Sequence, residues 1–169
     1  SNGVATITFR MPWVCENATY YFGVWTVIAT SEVADVWIND TLQFHYDYLV
    51  HIWKVTTDTY YYAHGDTVTI TIEYGTHAQQ SIYPGVITAT ILDETGVPIG
   101  YASTDVTIGG AVFCQYANGT VTLTIQIPKF ARAGYAYVHV NIFDYDPSAG
   151  GSAWCPEYTP AVEIYILPE

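Results

Sequence analysis

The chain has 169 residues, enough for one well-filled core and short for two independent domains. Half of it is hydrophobic and 16% is aromatic, which excludes a disordered chain, and no run approaches the roughly 20 apolar residues of a membrane span. Only four basic residues (Arg10, Lys54, Lys129 and Arg132) stand against 16 acidic ones, a net charge of -12, which argues against nucleic acid or an anionic membrane surface as partner.

Residues 3–11 (GVATITFRM) form the first expected strand, with Ala5, Ile7, Phe9 and Met11 on one face and Pro12 stopping it. A second runs over 19–29, apolar on both faces. A short third, 33–38, leads to a turn at Asn39-Asp40. Residues 42–55 read as one long strand. Phe44, Tyr46, Tyr48, Val50 and Ile52 share one side, and His45, Asp47, Leu49, His51 and Trp53 the other.

From Tyr62 onward the alternation becomes regular. YAHGDTVTITIEY (62–74) turns at Gly65-Asp66 and then directs Val68, Ile70, Ile72 and Tyr74 inward, with Thr outside. GVITATIL and VPIGYAS flank the turn Asp93-Glu94-Thr95-Gly96, a hairpin signal. After Asn118-Gly119, TVTLTIQI buries Val121, Leu123, Ile125 and Ile127. AYVHVNIF directs Ala136, Val138, Val140 and Ile142 one way. The longest irregular piece is 144–160, and AVEIYILPE closes the chain. No segment of ten residues keeps a helical period. The expected fold is therefore all-β, a single immunoglobulin-like or jelly-roll-like sandwich of about 9–11 strands with almost no helix. Within it, 1–12 is an N-terminal strand, 13–61 adds strands, and 62–169 is the core.

Sequons at Asn17, Asn39 and Asn118 point to an exported, N-glycosylated, extracellular or cell-surface protein. The opening SNGVATITF has neither a basic nor an apolar leader region, so an exported chain would be in its mature form. The three cysteines, Cys15, Cys114 and Cys155, lack zinc-site spacing. A Cys15–Cys155 bridge would close almost the whole chain, where cross-linking gains most in the chain-entropy model. The alternative is three reduced, buried thiols.

The order of these motifs resembles a macroglobulin-type immunoglobulin-like domain of extracellular and cell-surface proteins, over about residues 62–167. The pieces that carry the likeness are Y-A-H-G-D-T-V-T-I, I-L-D-E-T-G-V-P-I-G, N-G-T-V-T-L-T-I-Q-I-P and A-R-A-G-Y-A-Y-V-H-V. Ala136 and Val138 stand where an antibody-type domain would carry its corner tyrosine and strand cysteine, so that type is excluded. The resemblance implies adhesion, spacing or assembly, and it transfers no catalytic residue.

Candidate chemistry is sparse. His45 and His51 lie about 20 Å apart along one strand and cannot share a metal, and His64, His77 and His139 are scattered. Asp144, Asp146 and Glu157 bracket the long loop as weak Ca²⁺ candidates; no other cofactor is expected. There is no G-x-S-x-G elbow, and the chain is not expected to be an enzyme. Tyr60, Tyr61, Tyr62, Tyr46, Tyr48, Trp13, Trp154 and Tyr158 exceed what one core needs, and exposed rings stack on sugars or fill interfaces. The first strand could complete its own sheet or enter a neighbour's open edge, a head-to-tail contact that propagates into a filament. The leading expectation is a structural subunit of a pilus- or thread-like homopolymer, with Ala5, Ile7, Phe9 and Met11 as donor strand. The alternative is a monomeric glycan-binding or adhesion module using exposed Tyr and Trp.

Overall fold

A computed structural model describes residues 4–9, 23–33, 35–46, 50–76, 78, 83–112 and 115–169. They belong to two compact units, Ser1–Asp47 and Tyr48–Glu169. The described residues are almost entirely β-structure, as the alternation predicts. Their one helical element is a 3₁₀ turn at Pro147–Ala149.

In the first unit, β1 (Gly23–Val33) and β2 (Val36–Tyr46) form a two-stranded antiparallel ribbon. Val33 pairs with Val36, and between them Asp35 takes φ 62° in the turn. A short polar side chain tolerates this left-handed conformation. This corrects the expected turn at Asn39-Asp40. Both residues lie in mid-strand, opposite Thr30 and Ala29, because the ladder keeps one register over all eleven pairs. Residues 4–9 form no strand. Strand structure needs a ladder partner, and among the described residues none pairs with them.

The second unit is a β-sandwich, consistent with an immunoglobulin-like arrangement. One sheet has the order β3 (Val50–Thr57), β5 (Thr67–Thr76), β8 (Ala117–Gln126), all antiparallel. The other has the order β4 (Tyr61–Tyr62), β10 (Val162–Ile166), β9 (Gly134–Phe143), β6 (Tyr83–Asp93), β7 (Pro98–Ile108). Only β4, beside β10, pairs in parallel.

The core lies between the sheets. Val68, Ile70 and Ile72 of β5 pair with Ile125, Leu123 and Val121 of β8, and face Ile87, Ala89 and Ile91 of β6 with Ala136, Val138, Val140 and Ile142 of β9. Those on β5, β8 and β9 are the inward positions that the alternation predicts, because one face of each strand must shed water. The β6–β7 turn is held by Asp93, whose carboxylate accepts from Thr95 N (2.8 Å), Thr95 Oγ1 (2.6 Å) and Val97 N (2.9 Å). Tyr62 is 1% exposed, and its hydroxyl donates to Asp58 Oδ1 at 2.7 Å. Burial and that carboxylate push the phenol up to about 12.

Candidate functional site

The outer face of the three-stranded sheet carries an aromatic platform. On β3, Val50, Ile52 and Val55 turn toward the core while His51, Trp53 and Lys54 face out. Two successive outward residues are possible because a β-bulge between Ile52 and Lys54 adds Trp53 to the strand. His51 and Trp53 stack with ring centroids 5.1 Å apart and planes 10° from parallel. Tyr116, just before β8, meets both edge-on, at 4.9 Å from Trp53 and 5.7 Å from His51. Edge-to-face contacts of this kind add roughly 0.5–1.5 kcal/mol each beyond burial.

A glycine and an amide fix the indole. His51 pairs with Gly75 on β5, which pairs with Asn118 on β8. Trp53 lies across Gly75 and donates from Nε1 to Asn118 Oδ1 at 3.1 Å. A Cβ on residue 75 would overlap Trp53 Nε1 and stand 2.6 Å from Asn118 Oδ1. Only glycine leaves this crossing open. Trp53 and Tyr116 nonetheless stay 44% and 39% exposed.

Two open grooves adjoin the platform. One, of about 390 Å³, is lined by Trp53, Tyr116, Glu73, Tyr74, Asn118 and Thr120. The other, of about 430 Å³, lies between β3 and the segment 155–159, lined by His51, Trp53, Pro156, Glu157, Tyr158 and Thr159. Trp53 is a wall of both. His139 Nδ1 donates to Glu157 Oε1 at 2.7 Å and Asn141 Nδ2 to Glu157 Oε2 at 3.1 Å. Partial burial opposes ionisation of Glu157, but these bonds and the charge of His139 outweigh it and hold the carboxyl below its usual range. Lys54 and Glu73 form an ion pair at 3.9 Å, both exposed, a geometry worth little.

A second aromatic surface lies on the outer face of the five-stranded sheet. Tyr165 pairs with Tyr61 on one side and Tyr135 on the other, and their rings meet edge-on at 6.0 and 5.2 Å. Tyr60 joins Tyr61 at 4.8 Å and donates to Glu163 Oε1 at 2.7 Å. That bond pushes the Tyr60 phenol up to about 12.

The residues singled out in the sequence fare differently. Tyr62 is core, and Trp154 and Tyr158 pack partly against it. Tyr60 and Tyr61 are exposed. Trp13, Tyr48, Cys15, Cys114, Asn17 and Met11 lie outside the described residues, as do the side chains of Tyr46 and His45. Asn39 is exposed, and Asn118 is exposed but carries the indole bond. Ala5, Ile7 and Phe9 are all exposed. Cys155 is a buried thiol, pushed up to about 11 by its burial, and Cys15, with which the sequence pairs it, lies outside the described residues.

The calcium candidates are not brought together. Asp144 accepts from Tyr145 N and Ser152 N, Asp146 caps the 3₁₀ turn through Ser148, and Glu157 holds His139. Among the described residues no group of three His, Cys, Asp or Glu is placed to hold a metal ion. His64 Nε2 is bonded to the Ala131 carbonyl at 2.8 Å. The alternation placed His51 and Trp53 on one side of their strand without saying which side faces solvent, and it carried no sign of Tyr116, more than sixty residues away, as their partner.

The fold and this face define an antiparallel β-sandwich with an exposed, pre-positioned aromatic platform. No family model matches the chain, and no curated protein matches its sequence. Among solved structures, the C-terminal domain of Wzt superimposes with a TM-score of 0.56 over 73% of this chain and 76% of that one, at 5% identity. That likeness shows a shared sandwich fold. A β-glucosidase from Listeria innocua in complex with isofagomine gives a TM-score of 0.47 at 13% identity, covering 74% of this chain and 17% of the enzyme. A glycosyl hydrolase family 2 member from Bacteroides cellulosilyticus gives 0.42 at 13% identity, over 66% and 14%. This chain thus spans only a small part of either hydrolase.

Proposed function

We propose that this chain is a carbohydrate-binding module of the extracellular space, built on a macroglobulin-type immunoglobulin-like sandwich, and that it holds glycans without cleaving them. The observation that carries the reading is the Trp53 indole, laid across Gly75, bonded to Asn118 and still 44% exposed. An exposed indole offers a flat apolar face to a sugar ring, and its fixed orientation removes much of the ordering cost of binding. Asn118, Thr120 and Glu73 supply donors and acceptors beside it for hydroxyl groups. The test is retention on immobilised neutral polysaccharides by the wild-type chain and by Trp53→Ala. Selective loss of retention in the variant is expected. Equal retention of both, or of neither, would refute the reading.

A second reading follows from residues 4–9. Their alternating apolar residues are exposed, Ile7 at 84%, and make no ladder. A strand of this pattern can take its hydrogen bonds from the open edge of a neighbouring subunit. On that reading the chain is also a subunit of a pilus- or thread-like homopolymer, with Ala5, Ile7, Phe9 and Met11 as donor strand. Electron microscopy of the chain and of a form lacking residues 1–11 tests it: filaments lost on truncation are expected, and filaments unchanged would contradict it.

A further inference from the structure

We infer that the ligand is the interior of a linear, uncharged glycan longer than a disaccharide, seated across Trp53 with one arm in each flanking groove. The inference rests on the glycan-binding reading and adds length, direction and charge to it. Length comes from the shared wall. Trp53 lines both the 390 Å³ groove toward β8 and the 430 Å³ groove toward 155–159, so a sugar ring set against the exposed part of the indole has an open groove leading away in each direction. The first arm crosses β3, β5 and β8, about 10 Å at ordinary strand spacing. The second passes over the edge of β3 to Glu157 and Tyr158, so a single disaccharide cannot reach both ends. Both grooves are open, which suits the interior of a chain rather than its terminus.

The charge requirement comes from the groove walls. Each contains a carboxylate, Glu73 in the first and Glu157 in the second. The one Lys near either, Lys54, is exposed and 3.9 Å from Glu73, and His139 is committed to Glu157. The whole chain adds a net charge of -12. A uronic-acid polymer would bring its carboxylates against both walls, and like charges in direct contact with a wall repel inside the screening length of about 8 Å at physiological salt. Hydroxyl groups instead donate to the same carboxylates.

Calorimetric titration of the full chain tests the inference. The probes are neutral β-1,4-linked oligomers of glucose, mannose and N-acetylglucosamine from the disaccharide to the hexasaccharide, and oligogalacturonates of the same lengths. In at least one neutral series the affinity rises about tenfold or more from dimer to tetramer, a difference well resolved by titration. Thr159→Ala and Glu157→Gln reduce that rise more than they reduce dimer binding. The double change Glu73→Gln with Glu157→Gln raises the affinity for oligogalacturonate relative to the neutral oligomer. Affinity that is flat beyond the disaccharide, or oligogalacturonate bound as tightly as the neutral series, overturns the inference while leaving glycan binding at Trp53 standing. Failure of every neutral oligomer to bind overturns both.

Discussion

Replacing Gly75 by Ala should separate the platform from the fold. The new Cβ would stand 2.6 Å from Asn118 Oδ1 and overlap Trp53 Nε1. Both obstacles are side-chain atoms, so the strand holds its place and the indole tilts outward. The loss is one neutral hydrogen bond, about 0.5–1.5 kcal/mol. Ala in place of Gly within a strand recovers about 0.5–1 kcal/mol of backbone entropy. The two nearly cancel, and the melting temperature should move by less than about 5 °C. Binding should behave otherwise, because a tilted indole no longer presents its face in line with His51 and Tyr116. Loss of an anchoring aromatic costs about 2 kcal/mol or more, roughly thirtyfold in affinity. The assay pairs thermal unfolding with titration of a neutral oligosaccharide, and follows the Trp53 indole N–H signal, assigned with Trp53→Phe. A displaced indole signal with undiminished affinity would refute the reasoning, as would a collapse in stability with the signal unmoved.

Four further outcomes follow from the core and its edges. Tyr62→Phe removes a hydrogen bond to a carboxylate while Asp58 keeps the Thr69 amide, so urea unfolding should show a loss of about 1.5 kcal/mol, shrinking below about pH 4 as Asp58 protonates. Asp58, Asp93 and Asp146 are each held below the usual carboxylate range, chiefly by the hydroxyls of Tyr62, Thr95 and Ser148, and Glu157 lies below its own. A carboxyl depressed by folding stabilises the fold above its unfolded pKa, and this is lost as pH falls through the folded value. Stability should therefore decline below about pH 4 in acid titrations followed by circular dichroism. Tyr62 has the opposite sign: raised to about 12, it stabilises below its unfolded pKa and ceases to do so between about pH 10 and 12. Cys155, buried and raised to about 11, should resist iodoacetamide at pH 8 in the folded chain and react on unfolding, read by peptide mapping.

The sandwich was legible because burial on one side writes itself as alternation. Val68, Ile70, Ile72, Leu123, Ile125 and the even positions from Ala136 to Ile142 all lie inward as the pattern requires. The Asp93–Gly96 turn was equally legible, since Asp93 closes it with its own carboxylate. The ribbon was less so. Asn39-Asp40 carries turn chemistry, but eleven-pair register places the turn between Val33 and Val36, and pairing energy summed over a strand outweighs one dipeptide's preference. The platform was hardest to read. Alternation puts His51 and Trp53 on a common side, but shows neither that this side faces out, nor the bulge that aims the indole, nor the Gly75–Asn118 pairing that receives it. Such contacts depend on which strands become neighbours, which local pattern does not encode. The tyrosine run shows the same limit: Tyr61 and Tyr62 take opposite faces of β4, Tyr62 in the core and Tyr61 at the surface, while Tyr60, just before the strand, stays exposed although alternation alone would put it on the face of Tyr62.

The central claim is that sugars dock on Trp53, and the most direct measurement is a nuclear magnetic resonance titration with a neutral oligosaccharide. Shifts are expected at the Trp53 indole, Tyr116, Asn118 and Gly75, with Tyr61, Tyr135 and Tyr165 on the opposite sheet unmoved. Shifts confined to the tyrosine row, with the indole signal still, would contradict it.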